Sequence, residues 1–232
     1  MRDSDMIKSV LLDLDDTIFD FHRAEAAALT GMLTELEITP TEEFISLYSE
    51  INDRHWKMLE LGTLTRDEVL TGRFESLFSE MGVRADAKRA RELYEWRLGE
   101  CHYFIDGAEK LLDSLYGEFD LYLASNGTDS VQTRRIAGAG IEKYFKDIFI
   151  SQRLGADKPS SEYFERCFAR IEDFDRARTV IVGDSLSSDI KGGRNAGIKT
   201  VWYNPCNKGC GDITPDYEIK KLSELKELLM KI

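Results

Sequence analysis

The chain is 232 residues long, with 42% hydrophobic and 32% charged residues, a balance that belongs to a globular protein and not to a disordered or membrane-spanning one. It is long enough to bury about 70% of the surface that its unfolded form exposes, and no apolar run approaches the roughly 20 residues of a spanning helix. A formal net charge of −12 argues against nucleic-acid polymers as partners, because gripping their phosphates draws on clustered lysine and arginine.

The first residues, Met1-Arg2-Asp3-Ser4-Asp5, offer no apolar signal core, so a cytoplasmic location without membrane attachment is expected. Val10-Leu11-Leu12 is apolar enough for a strand buried on both faces, and it runs into Asp13-Leu14-Asp15-Asp16-Thr17. Carboxylates within about 4 to 6 Å of one another repel by roughly 4 kcal/mol per close pair at an effective dielectric near 20, so a cation or shared protons must compensate them. Asp13 and Asp15 stand two apart. Either their side chains share a face, or the strand has ended and Asp15 turns its main-chain carbonyl to the cation.

From about Asp20 to Cys101 there is almost no strand-like run, and the segment reads as helices throughout. Thr39-Pro40-Thr41-Glu42 predicts a helix capped at Thr39 with proline in its first position. Thr65-Arg66-Asp67-Glu68 repeats the capping box, and Gly62 and Gly82 mark helix ends. Phe19 and Phe21 read as hinge or packing residues. The predicted organisation is a core of residues 1–18 and 103–232, with an all-helical cap of residues 19–102 inserted after the first strand.

Beyond Ile105 helix and strand alternate. Helix Gly107 to Tyr116 precedes strand Asp120 to Ala124, helix Ser130 to Ala139 precedes strand Asp147 to Ser151, and helix Pro159 to Ile171 precedes strand Thr179 to Val182. Helix Leu186 to Ala196, strand Lys199 to Tyr203 and a last helix Ser223 to Leu229 complete the series. The fold class is therefore α/β, a parallel sheet covered by helices on both faces. Gly192-Gly193 inside a helical pattern predicts close approach of a neighbour, and Gly197 a helix end. The cysteines at 101, 167, 206 and 210 are too irregular for a disulfide framework. Cys206 and Cys210 flank Asn207-Lys208-Gly209, but a zinc site wants four ligands and no partner pair or histidine lies nearby in sequence.

Four strand ends carry polar groups: Asp13 with Asp15, Ser125-Asn126-Gly127, Lys158 after the third, and Gly183-Asp184. Taken singly, each has an ordinary reading as a turn, a cap or a solvated lysine. Taken together, acid, acid, hydroxyl and lysine at the carboxyl edge of a parallel sheet point to a ligand site. Mg²⁺ prefers hard oxygen ligands and binds one or two carboxylates with a substrate phosphate, and Asp13 and Asp184 fit as those carboxylates. Lys158, directly before Pro159, is predicted beside a helix N-terminus, where anions are favoured. Ser125 and the amides of Asn126 and Gly127 would add neutral donors to the same phosphoryl oxygens. A calcium loop is excluded, because Ile18 stands at its sixth position where glycine is required and Ala24 at its twelfth where glutamate is required.

These residues resemble the haloacid dehalogenase-like hydrolase superfamily, whose four motifs are matched in order by Asp13-Leu14-Asp15-Asp16-Thr17, Ser125-Asn126, Lys158-Pro159, and Gly183-Asp184 with Asp189. The resemblance implies a Rossmann-like core with a helical type-one cap and an aspartyl-phosphate mechanism. In that mechanism Asp13 is the nucleophile and Asp15 the general acid and base. Asp13, Asp15, Asp184 and Asp189 form or orient the Mg²⁺ site, and Ser125 and Lys158 hold the phosphoryl group. An acid at Asp15 and a metal ligand at Asp184 separate the chain from true dehalogenases.

Thr71-Gly72-Arg73-Phe74-Glu75, Ser125-Asn126-Gly127 and Gly183-Asp184-Ser185 through Asn204-Pro205 look like the pyrimidine 5′-nucleotidase branch, which implies a pyrimidine nucleoside monophosphate as substrate. In the cap, Asn52, Trp56 and Arg73 offer a polar edge, an aromatic face and a cation suited to a nucleobase and its sugar. The helical spacing of Asn52, Trp56 and Leu59 also fits a cap core. His22, His55 and His102 are scattered and are assigned no catalytic role. The competing readings are a phosphatase for sugar phosphates or other small metabolites, and a phospho-accepting receiver module. Receivers, at around 120 residues, have no helical insert of this size.

Overall fold

The computed structural model describes residues 6–232, so the reading of Met1–Asp5 lies outside the described residues. The chain divides into two compact units. One comprises the stretch up to Asp20, Phe104–Gln132 and Ala139–Ile232; the other comprises Phe21–Tyr103 and Thr133–Gly138.

The first unit is built on strands β1 (Ser9–Leu12), β2 (Asp120–Ser125), β3 (Asp147–Ile150), β4 (Thr179–Gly183), β5 (Lys199–Tyr203) and β6 (Tyr217–Ile219). They form one sheet in the order β3-β2-β1-β4-β5-β6, with every neighbouring pair parallel. Their apolar, often β-branched residues are buried along β1 and β4, as a sheet covered on both faces demands. Leu12 is in register with Leu123 of β2 and Val182 of β4, so β1 and β4 end side by side where the strand order reverses, the place at which such sheets open a crevice. The Asp13 N–H extends this pairing by donating to Val182 O at 2.9 Å.

In the second unit, helices α1 (Phe21–Glu35), α2 (Glu42–Glu60), α3 (Arg66–Glu80) and α4 (Ala87–Leu98) bury a shared apolar stripe. Tyr48, Phe74 and Tyr94 meet at its centre with ring separations of 5.3 to 5.4 Å. Thr41, not Thr39, caps α2: its Oγ1 accepts the Phe44 N–H, which leaves Glu42 and Glu43 in the first turn against the positive end of the helix dipole. The box at Thr65 forms as expected, with Glu68 Oε2 accepting the Thr65 N–H at 2.7 Å. Gly62 and Gly82 follow their helices with φ of +70° and +64°, conformations that glycine adopts freely.

The remaining helices are α5 (Ala108–Leu115), α6 (Asp129–Ala139), α7 (Ser151–Leu154), α8 (Ser161–Phe168), α9 (Lys191–Asn195) and α10 (Leu225–Leu229). Pro159 is not the first residue of α8: Ser160 caps that helix, its Oγ accepting the Tyr163 N–H, so Lys158 stands outside the first turn. The helix expected to begin at Leu186 opens with a π-type turn over Leu186–Ile190, because Ser185 O accepts both the Asp189 and the Ile190 N–H. A Cβ at Gly192 would lie 2.5 Å from the Phe164 ring, and one at Gly193 would lie 2.5 Å from Ile181 Cγ2, so the expected close approach is realised. No helix among the described residues is long and apolar enough to cross a membrane.

Candidate active site

Lys158 organises the carboxyl edge of the sheet. Its Nζ donates to Asp13 Oδ1 at 2.6 Å, Asp189 Oδ1 at 2.7 Å and Ala124 O at 2.7 Å, so each of its donors is used. Asn126 places it there: Asn126 Nδ2 donates to Lys158 O and Asn126 Oδ1 accepts the Lys158 N–H, both at 2.8 Å. The Asn126 side chain therefore grips the lysine's main chain. Ser125 Oγ accepts the Gly127 N–H at 3.1 Å and an N–H of Gln132 at 2.9 Å, which leaves the serine O–H free to donate. Gln132 also donates to Asp15 Oδ2 at 2.6 Å.

Oxygens of Asp13, Asp184 and Asp189 all lie within 4.8 Å of one another. Asp189 is fully buried, and its Oδ2 accepts the Ser185 N–H at 3.1 Å. A Cβ at Gly183 would sit 2.2 Å from that Oδ2, so glycine at the end of β4 is a condition for this arrangement. The Asp184 loop is fixed from behind, where Trp202 Nε1 donates to Asp184 O at 2.8 Å.

Burial, followed by the charges of Asp13, Asp189 and Asp16, pushes the Asp184 carboxyl well above the usual range. Burial likewise pushes Asp13 up to about 8, against the pull of Lys158. For Lys158 burial acts to lower the pKa, but Asp13 and Asp189 outweigh it and raise the ammonium above its ordinary value.

The Asp184 carboxylate takes no hydrogen bond from the described residues, and it stands beside two other buried acids. An acid held this way fits a hard divalent cation with oxygen ligands. The Asp15 carboxylate lies outside this group and faces Gln132 instead. The strand ends at Leu12, so Asp13 and Asp15 are not neighbours on one strand face.

In the helical unit Asn52, Trp56 and Arg73 also come together. Asn52 Oδ1 accepts from Arg73 Nη1 at 2.8 Å and from Trp56 Nε1 at 3.1 Å, while Asn52 Nδ2 donates to Glu25 Oε1 at 2.8 Å. The Arg73 guanidinium is buried, with its carbon 5.0 Å from the Tyr94 ring centre. Glu25, which sequence reasoning missed, is 4% exposed. It sits in the helical pattern Ala24, Ala28, Leu29 that reads as apolar packing.

Burial pushes the Glu25 carboxyl up to about 7 from its ordinary 4.5. The folded state thus favours the protonated form, and the associated stability is present below the ordinary value and lost as pH rises through 7. A shift of that size is worth on the order of 3 kcal/mol. Urea unfolding at pH 5 and pH 8 is expected to show a smaller fall in stability for Glu25→Gln than for the parent. Equal falls in the two proteins would refute this.

Comparison with known proteins fits this geometry. The model of the family described as haloacid dehalogenase-like hydrolase matches residues 10–203. The chain is 43% identical over 223 residues to HAD-hydrolase YfnB of Bacillus subtilis, covering 96% of this chain and 95% of that one. It is 38% identical over 226 residues to the pyrimidine 5′-nucleotidase PynA of Streptococcus pneumoniae, covering 97% and 95%. A crystal structure of the B. subtilis protein bound to magnesium matches with a TM-score of 0.92, covering 97% of this chain and 99% of that one. The chain belongs to the haloacid dehalogenase-like hydrolases, and it is an enzyme of the phosphoric monoester hydrolase class.

Proposed function

We propose that this enzyme is a Mg²⁺-dependent 5′-nucleotidase that hydrolyses pyrimidine nucleoside monophosphates through a phosphorylated Asp13. The observation that carries the reading is Lys158, bonded at once to Asp13 and Asp189 beside an Asp184 whose carboxylate takes no hydrogen bond from the described residues. The nucleotide assignment draws on the relative that is a pyrimidine 5′-nucleotidase.

Asp13 attacks phosphorus through a carboxylate oxygen, forming an acyl phosphate. The bond from phosphorus to the ester oxygen breaks, its electron pair stays on that oxygen, and Asp15 supplies the proton. Water then attacks phosphorus and gives a proton to the Asp15 carboxylate. Inorganic phosphate leaves, and the Asp13 carboxylate is restored. The Ser125 hydroxyl holds a phosphoryl oxygen, and the charge of Lys158, whose Nζ is 2.6 Å from Asp13 Oδ1, offsets the negative charge of the phosphoryl group during both transfers. The side chains of Asp13 and Asp184 and the main-chain carbonyl of Asp15 would hold Mg²⁺, oriented by Asp189, and the bound ion supplies charge compensation for the phosphoryl oxygens. In the helical unit Asn52 and Arg73 are 1% and 3% exposed and bonded to each other, which favours the cap-core reading of these residues over contact with a base.

Phosphate release from UMP, CMP and dTMP is expected to exceed that from AMP, GMP and hexose phosphates by at least about tenfold in kcat/KM. Chelation with EDTA is expected to remove turnover, and added Mg²⁺ to restore it. Turnover confined to sugar phosphates would sink the nucleotidase assignment. A single stoichiometric phosphorylation without catalytic release would sink the phosphatase.

A further inference from the structure

One buried amide joins the acid and the hydroxyl of the proposed reaction. Gln132 lies on the inward face of α6, 2% exposed, and its Nε2 reaches both Asp15 Oδ2 at 2.6 Å and Ser125 Oγ at 2.9 Å. An amide nitrogen carries two N–H donors, so a single atom can serve both oxygens. Its path is open because residue 127 is glycine: a Cβ there would stand 2.2 Å from Gln132 Nε2 and 2.6 Å from its Cδ and Cγ. The backbone at Gly127 is not in the left-handed region. Space, and not conformation, calls for glycine at that point.

We propose that Gln132 is a positioning residue that holds the Asp15 carboxylate where it delivers a proton to the leaving oxygen, and that Gly127 is the gap through which Gln132 reaches it. This rests on the acid and base role of Asp15 proposed above and extends it to the group that aims that acid. The Asp15 carboxylate stands apart from the cluster of Asp13, Asp184 and Asp189, and a neutral donor orients it without adding another charge to a site already crowded with them. Ser125 is drawn into the same arrangement: with Gln132 and the Gly127 N–H occupying its lone pairs, its own proton points elsewhere. Misplacing a reacting group by about 1 Å can cost roughly 100-fold in rate, so loss of this brace is expected to act on proton transfer specifically.

The test is kcat/KM on phosphate monoesters of graded leaving-group basicity, from p-nitrophenyl phosphate to UMP. It compares the parent with Asp15→Asn, Gln132→Met, Gly127→Ala and the Gln132→Met/Gly127→Ala double variant. Proton donation matters for a basic alkoxide and little for p-nitrophenolate. Gln132→Met, which keeps the volume and loses the donors, is expected to lower kcat/KM for UMP by roughly 10- to 100-fold, and for p-nitrophenyl phosphate by less than about threefold. Gly127→Ala is expected to show the same selective loss, and the double variant to be no worse than Gln132→Met alone.

If Asp15→Asn steepens the leaving-group dependence while Gln132→Met lowers both substrates alike, or neither, the positioning role is overturned and the acid stands. If Asp15→Asn leaves the dependence unchanged, the acid and the proposal built on it both fall. Multiplying losses in the double variant would overturn the role of Gly127. Should Gln132→Met fail to fold, as read by circular dichroism, Gly127→Ala carries the test, because the three atoms nearest its new Cβ all belong to the Gln132 side chain.

Discussion

Asp13→Asn is expected to lower kcat for phosphate release by roughly 10⁴-fold or more, as loss of a nucleophile does elsewhere, while the protein stays folded. An amide nitrogen or oxygen at this position forms no acyl phosphate under these conditions, so the covalent route closes. The fold survives for a separate reason. Asparagine has the shape of aspartate and keeps an oxygen that can accept the Lys158 N–H now donated to Asp13 Oδ1, and the change removes one of the repelling carboxylates around Asp184. In EDTA the variant is therefore expected to melt at or above the Tm of the parent. Phosphate release measured beside a circular dichroism melt separates the two effects. A turnover near that of the parent would refute the nucleophile assignment, and a collapsed melt would show that Asp13 is structural in a way its contacts do not explain.

Lys158→Met is expected to fail in both respects. The ammonium is 1% exposed and lies between Asp13 and Asp189, which are themselves buried. Removing the cation leaves two carboxylates unpaired in a medium that solvates them poorly, and breaking a buried pair in this way costs about 3 to 5 kcal/mol. The carbonyl of Ala124 at the end of β2 also loses its donor. Urea unfolding is expected to shift by that amount, and turnover to fall by at least about 100-fold, since a preorganised cation on the phosphoryl group is lost. Adding Asp189→Asn is expected to return part of the stability and none of the activity. An unfolding midpoint equal to that of the parent would overturn the view that this ammonium balances the acids.

Much of this site was legible in the residues because its strongest signals are local. An apolar run ending in Asp13, and another ending in Gly183-Asp184, locate two strand ends whatever the rest of the chain does. Parallel pairing then requires those ends to share an edge. The details that escaped are those set by partners distant in sequence. Lys158 was expected at a helix start because proline follows it, yet the side chain of Asn126 carries it and Ser160 takes over the cap. Gln132 shows only that it stands four residues before the buried Ile136 on a helix, and an amide there carries no chemical signature until Asp15 and Ser125 are seen beside it. Glu25 hides among alanines in the same way. The strand Tyr217–Ile219 and the helix Ser151–Leu154 are too short for any periodicity to announce them.

The grip of Asn126 on the Lys158 main chain imitates a rung between two strands, with one N–H given and one received across a separation of 32 positions. Because both contacts are to backbone atoms, the coupling is indifferent to which side chains the intervening segment carries. Loops within that segment can therefore lengthen, shorten or change composition during divergence while the ammonium stays docked, whereas transplanting the lysine into another scaffold without its asparagine would deliver a charge with no address.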